Sequence, residues 1–492
     1  MARYLSDNRQ PPIALPTKGK RIKSTVDAPS KPYLQMLPQW ELINDLLGGT
    51  MAMRNAGKKW LPAEARENSL SYEARLHRSY LYGAYKDTIQ KLSAKPFSKP
   101  VTVTDVNDTI DSLRTDADLK GSDLTQFVRA IFEDGLKYGM GHVLVDYPTN
   151  GQSLTLYDEK VTGTKPYFCR ISPMDLIAWQ TARLEDGSDV LTQIRFKERG
   201  TEYDENGFEE TEVEYIRVID TQAWQLWRKN NNDEEYVLHD EGTHTFGAVP
   251  LATFYTMRKD FMVSNPPLED LAWLNLAHWQ SLSDQRNILR FARVGLLFAS
   301  GFSEEEIETG INIGPSSLIS SNNPDANLSY VEHSGRAIGA GEDDLKRLEE
   351  RMEVLGLQPL VQNTGNVTAT ARAMDEARTH SNIQAWIRGL ENMMQSAYEM
   401  AGHWIGQEIG DDFALDIFND FGVSMSATED VKSLMDMYSN GTISHETFIK
   451  EVKRRGILSD EVDASLEMEL IGEAESQAMN ELSLSNQEEE DE

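Results

Sequence analysis

Asn265-Pro-Pro-Leu-Glu-Asp-Leu271 divides this chain into two halves of different character. The two prolines suit the first turn of a helix, where an amide N–H has no partner to lose, and Glu269 and Asp270 place negative charge at the positive end of the helix dipole. Beyond them Leu268, Leu271, Ala272, Trp279, Leu282 and Leu289 recur on one face, so the spacing predicts a helix to about Arg293. Upstream the pattern is mixed. The stretch Ser69 to Ser93 reads as one helix stopped by Pro96 and Pro100. A second, opened by Ser122 and Asp123, carries Leu124, Phe127, Val128, Ile131 and Phe132 on one face and ends at Gly139 and Gly141. His142 to Pro148 reads as a buried strand. Val190–Arg199, Glu212–Asp220, Ala223–Lys229, Glu235–His239 and Val249–Tyr255 alternate with period two and are expected to form a β-meander. The fold class is α+β.

Downstream, Val294 to Gly341 is rich in Gly, Ser and Asn, with a short strand expected at Leu328–Val331. Leu345, Leu348, Met352 and Leu355 predict a helix from near Glu342 to Gly356. After Gln362-Asn-Thr-Gly-Asn366 comes the strongest periodicity in the chain. Ile383, Ile387, Leu390, Met394, Ala397, Ala401 and Trp404 alternate steps of four and three, within a helix expected from Thr368 to about Gln407. Such length needs neighbours along it. Two short helices, Thr428–Ser439 and Ser444–Arg455, follow, joined through Asn440-Gly441.

The 492 residues, enough for about three domains, carry 80 acidic and 48 basic side chains, a net charge of −32. That balance excludes a protein gripping nucleic acid over most of its surface, because such binding needs phosphates neutralised by Lys and Arg. One cysteine, Cys169, can make neither an internal disulfide nor a multi-thiolate metal site. The start has no apolar core of signal-peptide length, and the longest apolar run, Val294 to Phe298, is far too short to span a membrane. A soluble protein of a reducing compartment is expected. The ends differ in charge: Arg3, Arg9, Lys18, Lys20, Arg21, Lys23 and Lys31 with six prolines make residues 1–40 a basic, extended arm, whereas the chain closes on Glu488-Glu-Glu-Asp-Glu492. Solvated tails and docking arms both fit these ends.

Catalytic signatures are missing. Gly19-Lys20 and Gly57-Lys58 lack the Ser or Thr and the earlier glycine of a phosphate loop; His445-Glu446 has Ile449 where a zinc-protease helix needs histidine; no Gly-x-Ser-x-Gly occurs. Glu202, Asp204, Asn206 and Gly207 imitate the start of a calcium loop, but Val213 stands where the closing glutamate belongs, so a turn is the better reading. Cys169 and His278 are read as packing residues. The chain is expected not to be an enzyme and to need no cofactor or metal.

The order of phrases resembles that of tailed-bacteriophage portal proteins, the head-tail connectors. It rests on Leu136-Lys-Tyr-Gly139 followed by Val143-Leu-Val-Asp-Tyr-Pro148, then Pro173-Met-Asp-Leu-Ile-Ala-Trp179, Pro266-Pro-Leu-Glu-Asp-Leu271, Asn366-Val-Thr-Ala-Thr370 and Asn440-Gly-Thr-Ile-Ser-His-Glu-Thr447. It covers about Tyr72 to Gly456. The resemblance implies a ring, usually of twelve subunits, around a DNA channel, with an α+β wing, a two-helix stem, a small α/β clip, a long wing spine helix and a short helical crown. It divides the chain into the arm (1–40), wing (41–264), first stem helix (265–293), clip (294–341), second stem helix (342–357), tunnel loop (358–368), spine helix and return (369–426), crown (427–470) and acidic tail (471–492). It further implies that Gln362, Asn363, Thr364, Asn366 and Thr368 face the channel. A plain helix–helix connection remains the other reading of that loop. Glu304, Glu305, Glu306 and Glu308 in the clip become the surface for the large terminase and then the head-tail adaptor. Double-stranded DNA and the major capsid protein complete the implied partners, with no membrane, and the implied place is the virion's portal vertex after assembly in the bacterial host cytoplasm. The competing class is a capsid-assembly scaffold without a channel.

Overall fold

A computed structural model of the chain describes residues 26–148, 165–203, 206–229, 235–294, 296–303, 323–331, 335–356, 369–410, 412–419 and 427–454. It divides into two compact units, the first Met1–Gly365 with Ser381–Phe418, the second Asn366–His380 with Asn419–Glu492.

The first unit opens with α1 (Lys31–Leu47) and α2 (Gly49–Ala56). Residues 31–40, expected as the end of an extended arm, are therefore helical. Ser30 caps the helix by accepting from the Tyr33 amide, and Pro32 sits in the first turn, where proline is harmless. Pro38 removes one internal hydrogen bond, and this loss is offset by burying Tyr33, Met36, Trp40, Leu42, Ile43 and Leu46. The arm before residue 26 lies outside the described residues.

The helix expected over 69–93 is two, α3 (Ser69–Arg78) and α4 (Ala84–Ala94). Ser79 takes an extended backbone between them because tertiary partners claim it. The Arg54 guanidinium donates to its carbonyl at 3.0 and 2.8 Å, and its hydroxyl lies 2.9 Å from Ser283 Oγ. After β1 (Thr102–Thr104) and the single turn α5 (Asp108–Asp111) comes α6 (Leu124–Tyr138). Its ends are as expected: Asp123 accepts from the Gln126 amide at 2.8 Å, and Gly139 ends it in the left-handed region at φ 84°.

Two antiparallel sheets follow. β2 (Met140–Asp146) is the centre of a three-stranded sheet, flanked by β3 (Tyr167–Ile171) and by Leu251–Tyr255. The five-stranded meander consists of β4 (Leu176–Arg183), β5 (Asp189–Tyr203), β6 (Glu210–Asp220), β7 (Ala223–Lys229) and β8 (Tyr236–Thr243) in sequence order. The last strand expected in the meander, here β9 (Leu251–Tyr255), instead pairs with β2, Leu251 opposite Leu144 and Tyr255 opposite Met140. Leu251, Ala252 and Phe254 are all buried, so β9, though an edge strand beside β2, has apolar side chains covered on both of its faces. Glu202, read as part of a turn and not of a calcium site, accepts from Tyr215 Oη at 3.0 Å and from Arg228 at 2.6 Å.

A small hairpin, β10 (Arg258–Asp260) and β11 (Val263–Ser264), leads into α7 (Glu269–Val294). The strands β12 (Leu296–Ser300) and β13 (Asn327–Val331) pair antiparallel, Leu296 opposite Val331. Next, α8 (Arg336–Leu355) begins six residues before the expected Glu342, so the segment taken as clip to residue 341 ends in helix. The long helix α9 (Ala369–Trp404) belongs to the first unit from Ser381 onward. Ile383, Ile387, Leu390, Met394, Ala397 and Ala401 are fully buried, Tyr398 meets Phe168 of β3 edge-on at 5.4 Å, and Trp386 Nε1 donates to the Thr256 carbonyl at 2.9 Å. The sheets supply the neighbours so long a helix requires. β14 (Ala414–Asp416) pairs with β1.

One core lies between α1 and the meander, where Trp40, Tyr138, Ile216 and Trp227 meet; a second, around Leu144, Ile194, Phe196 and Leu251, lies between the two sheets. Some buried polar groups are paired inside, whereas Tyr85 Oη, Trp279 Nε1 and Tyr398 Oη have no hydrogen-bond partner among the described residues. Asp134 of α6 is wholly buried and takes both oxygens to Arg170 of β3 at 2.6 Å. Cys169 is half-buried with its thiol pushed up to about 12, first by burial and then by Asp146, so it stays protonated, as a packing residue should.

His142 of β2 is buried with Nδ1 3.0 Å from Thr253 Oγ1, and burial holds its imidazole down to about 3. Below pH 6.5 the unfolded chain takes up a proton that the folded chain refuses, so this group's contribution is whole above pH 6.5 and is lost as pH falls toward 3. Stability should fall by about 1.4 kcal/mol per pH unit for this residue. His142→Gln should remove one proton's worth of slope in urea unfolding between pH 6.5 and 5, where most carboxylates stay ionised. An unchanged slope would contradict a neutral buried His142.

The second unit contains α10 (Ala427–Ser439) and α11 (His445–Arg454), joined at Asn440-Gly441 as expected. Tyr438 stacks on Phe448 at 5.0 Å, with Leu434, Ile449 and Val452 buried.

Candidate functional site

Two of the phrases that carry the family resemblance, Leu136–Gly139 and Pro266–Leu271, come together at the root of α7. Gly139 ends α6 and its carbonyl accepts from the Thr256 amide at 3.0 Å. A Cβ on Gly139 would lie 2.6 Å from the carbonyl carbon of Asn265, nearer still to its oxygen, and 2.7 Å from Ser264 Oγ. The preceding Tyr138 carbonyl accepts from Trp40 Nε1 at 3.0 Å and from Ser264 Oγ at 3.2 Å. The end of α6, α1 and the start of α7 are thus tied through one peptide. Gln39 Nε2 donates to Glu269 Oε1 at 2.7 Å in the first turn of α7, and Leu268, Leu271, Ala272, Leu276 and Trp279 are buried.

Polar anchors fix the next turns of α7. Asn275 Nδ2 donates to the Tyr82 carbonyl at 2.8 Å, its Oδ1 accepts from the Tyr85 amide at 3.1 Å, and Gln280 Nε2 donates to the Trp60 carbonyl at 2.9 Å. Arg75, 3% exposed, holds Glu67 with two bonds of 2.9 and 2.7 Å, donates to the Pro62 carbonyl at 2.8 Å and lies 3.7 Å from Asp284. Glu67's carboxyl is held below its ordinary range, first by the Arg75 bond. A buried charge needs that many partners to be tolerated. No periodicity announces these residues; a polar side chain on an otherwise apolar helix face is the only trace they leave in sequence.

The partner of α7 is α8, and the two run antiparallel. His278 Nε2 lies 3.1 Å from Glu349 Oε1, Ser281 Oγ donates to Asp344 at 3.0 Å, and Gln285 Nε2 donates to the Ile338 carbonyl at 2.9 Å. His278, expected to pack, does so with a polar contact as well. Gln285 explains Gly341: its amide occupies the space a Cβ would take. The pair thus leaves the sheet-and-helix body, turns through β12 and β13, and returns.

Glu304, Glu305, Glu306 and Glu308, and Gln362, Asn363, Thr364, Asn366 and Thr368, lie outside the described residues. Among the described residues no group of three His, Cys, Asp or Glu is placed to hold a metal ion, and no helix is long and apolar enough to cross a membrane. A cavity of roughly 200 Å³ beside Trp404 is lined by Asp146, Tyr167, Arg217, Trp224 and His244. Its charges are engaged, Arg217 with Glu198 at 2.6 and 3.1 Å and Asp146 with Tyr167 Oη at 2.9 Å. What the described residues place together is the root of α7, the antiparallel pair α7 and α8, and the paired strands β12 and β13.

Residues 267–405, from the start of α7 through α9, match a family described as a domain of unknown function (DUF4055). No curated protein matches the chain. Among solved structures the chain is similar to a chain of the virion of a native gene transfer agent (GTA) particle, at 10% identity over 88% of this chain and 94% of that one, with a TM-score of 0.41. It is likewise similar, at 10% identity over 74% of this chain and 88% of those, to chains from the neck of an empty GTA particle computed with C6 symmetry, TM-score 0.41, and from the neck of a native GTA particle computed with C12 symmetry, TM-score 0.40.

Proposed function

We propose that this chain is a portal subunit, a structural protein forming a ring-shaped channel at one capsid vertex through which viral DNA is packaged and ejected. The observation that carries it is the root of α7. Leu136–Gly139 and Asn265–Leu271, far apart in sequence and both part of the portal-like phrasing, touch through Gly139 and Asn265 and launch a helix pair joined by a hairpin. On this reading α7 and α8 are the stem, the hairpin region the clip, α9 the spine of the wing, and α10 and α11 the crown. The net charge of −32, repeated round a ring, repels phosphates and keeps a moving duplex from adhering to the wall.

The chain is proposed to be passive, with a separate large terminase hydrolysing ATP and docking on the clip at Glu304, Glu305, Glu306 and Glu308 before the head-tail adaptor takes its place. The major capsid protein surrounds the ring in the virion. Negative-stain imaging of the purified chain tests the reading. Rings with a central hole would support it, whatever their subunit number; shells, filaments or monomers alone would instead favour a scaffold without a channel.

A further inference from the structure

In the second unit, α10 carries more apolar surface than α11 covers. Leu434 is buried and Tyr438 stacks on Phe448, so this line of α10 is turned to its partner. Met435 and Met437 lie about 80° to either side of that line at 100° per residue. They are 56% and 44% exposed, and Tyr438 itself is 39% exposed. One packing face of a helix is usually about 100° wide, whereas the apolar arc of α10 spans about 160°. Val431, one turn before Met435, falls on the Met435 side with Lys432 at its rim, while Asp430 and Ser433 fall on that of Met437. The side that calls for a second neighbour is therefore that of Met435.

Residues 455–492, directly after α11, lie outside the described residues, and their sequence holds the signals of a further helix. Asp460 is a capping residue, followed by Glu461 and Asp463 where the helix dipole favours negative charge. Ala464, Met468, Ile471, Ala474, Ala478 and Leu482 then recur at steps of four and three, with no proline among them. Gly472 weakens such a helix, and residues 457–482 hold eight acids and no lysine or arginine, so ion pairs along the helix cannot support it. A helix of this kind, marginal alone in water, needs a body to pack on. Five residues, 455–459, separate α11 from Asp460, and a connection of that length makes consecutive helices antiparallel neighbours. Charge does not choose the partner, because residues 427–454 carry five acids against four lysines and arginines. Apolar surface and the short connection do.

We propose that residues 461–482 form a helix whose Met468, Ile471, Ala474 and Ala478 face packs on the Val431–Met435–Tyr438 side of α10, closing a three-helix bundle with α11. Leu434, Ile449 and Val452, now buried between two helices, become the centre of a core with three walls. The inference does not depend on the ring reading, since it concerns one chain folding on itself.

The test is amide hydrogen exchange of the full chain, read by mass spectrometry, with melting curves to check folding. The amides of residues 462–482 should exchange slowly as one block, and deleting residues 457–492 should speed exchange across α10 by about tenfold or more, as expected when a small core loses one wall. Met435→Gln is the discriminating variant, because residue 435 has little packing to lose if it faces water. It should speed exchange within 462–482 by about fivefold, while Met435→Leu and the control Met437→Gln leave that segment unchanged. Fast exchange throughout 462–482 in the wild-type chain would overturn the proposal, as would slow exchange there that Met435→Gln does not alter. Protection of α10 that survives the deletion but falls on dilution would assign the face to a second copy, and that also overturns it. None of these outcomes decides whether the chain forms rings, which imaging reads separately.

Discussion

Gly139→Ala should be among the most damaging single-methyl changes in the chain. At φ 84° an alanine pays for a left-handed backbone, about 1–2 kcal/mol. The added Cβ would also meet the Asn265 carbonyl and Ser264 Oγ, and because a main-chain carbonyl cannot rotate away like a side chain, overpacking adds about 1–3 kcal/mol. The control is Gly187→Ala in the β4–β5 turn, where φ is 83° but a Cβ would meet nothing within 4 Å. It should show the backbone cost alone. Urea unfolding of both variants separates the contributions, and equal losses would mean that the close approach to the root of α7 has no energetic weight.

That approach connects with what could be read beforehand. The ends of α6 were legible because Asp123 and Gly139 act locally, a cap and a left-handed stop, and local chemistry is written in local sequence. The long helix α9 was legible for a different reason, since three heptads of buried residues leave a periodic record even where their partners are unknown. The failures share one cause. The break at Ser79 is held by Arg54 and Ser283, the first turn of α8 is held by Gln285 through the Ile338 carbonyl, and β9 leaves the meander to pair with β2, where Leu251, Ala252 and Phe254 are buried. Each is a tertiary contact overriding a local preference. Pro38 misled in the same way: its local cost was visible, while the buried face of α1 that offsets it was not separated from the basic arm.

The candidate site was legible in part. The start of α7 was signalled by Pro266, Pro267, Glu269 and Asp270, yet the anchors Asn275, Gln280 and the Arg75–Glu67 pair were not. Hydrogen bonds to distant carbonyls have no spacing rule, so a sequence records that a polar residue is present and not what it holds.

Replacing Asn363 and Asn366 with Lys should slow DNA movement through the assembled particle. On the proposed reading, residues 358–368 face the channel with the uncharged groups of Gln362, Asn363, Thr364, Asn366 and Thr368, whose single hydrogen bonds to phosphates are weak and break easily. Two lysines per subunit would set two positive rings against the duplex, and each phosphate neutralised steepens the dependence of log affinity on log salt by about 0.9. Packaging and ejection should therefore slow most at low salt and recover as salt rises, while assembly survives because a solvent-facing loop has little packing to lose. If the loop instead joins two helices inside the subunit, the lysines are buried without partners and the cost falls on stability. The two outcomes differ in sign on each measurement: slowed transport with an unchanged melting temperature supports the channel-facing loop, and a lowered melting temperature with transport unchanged across the salt series removes it.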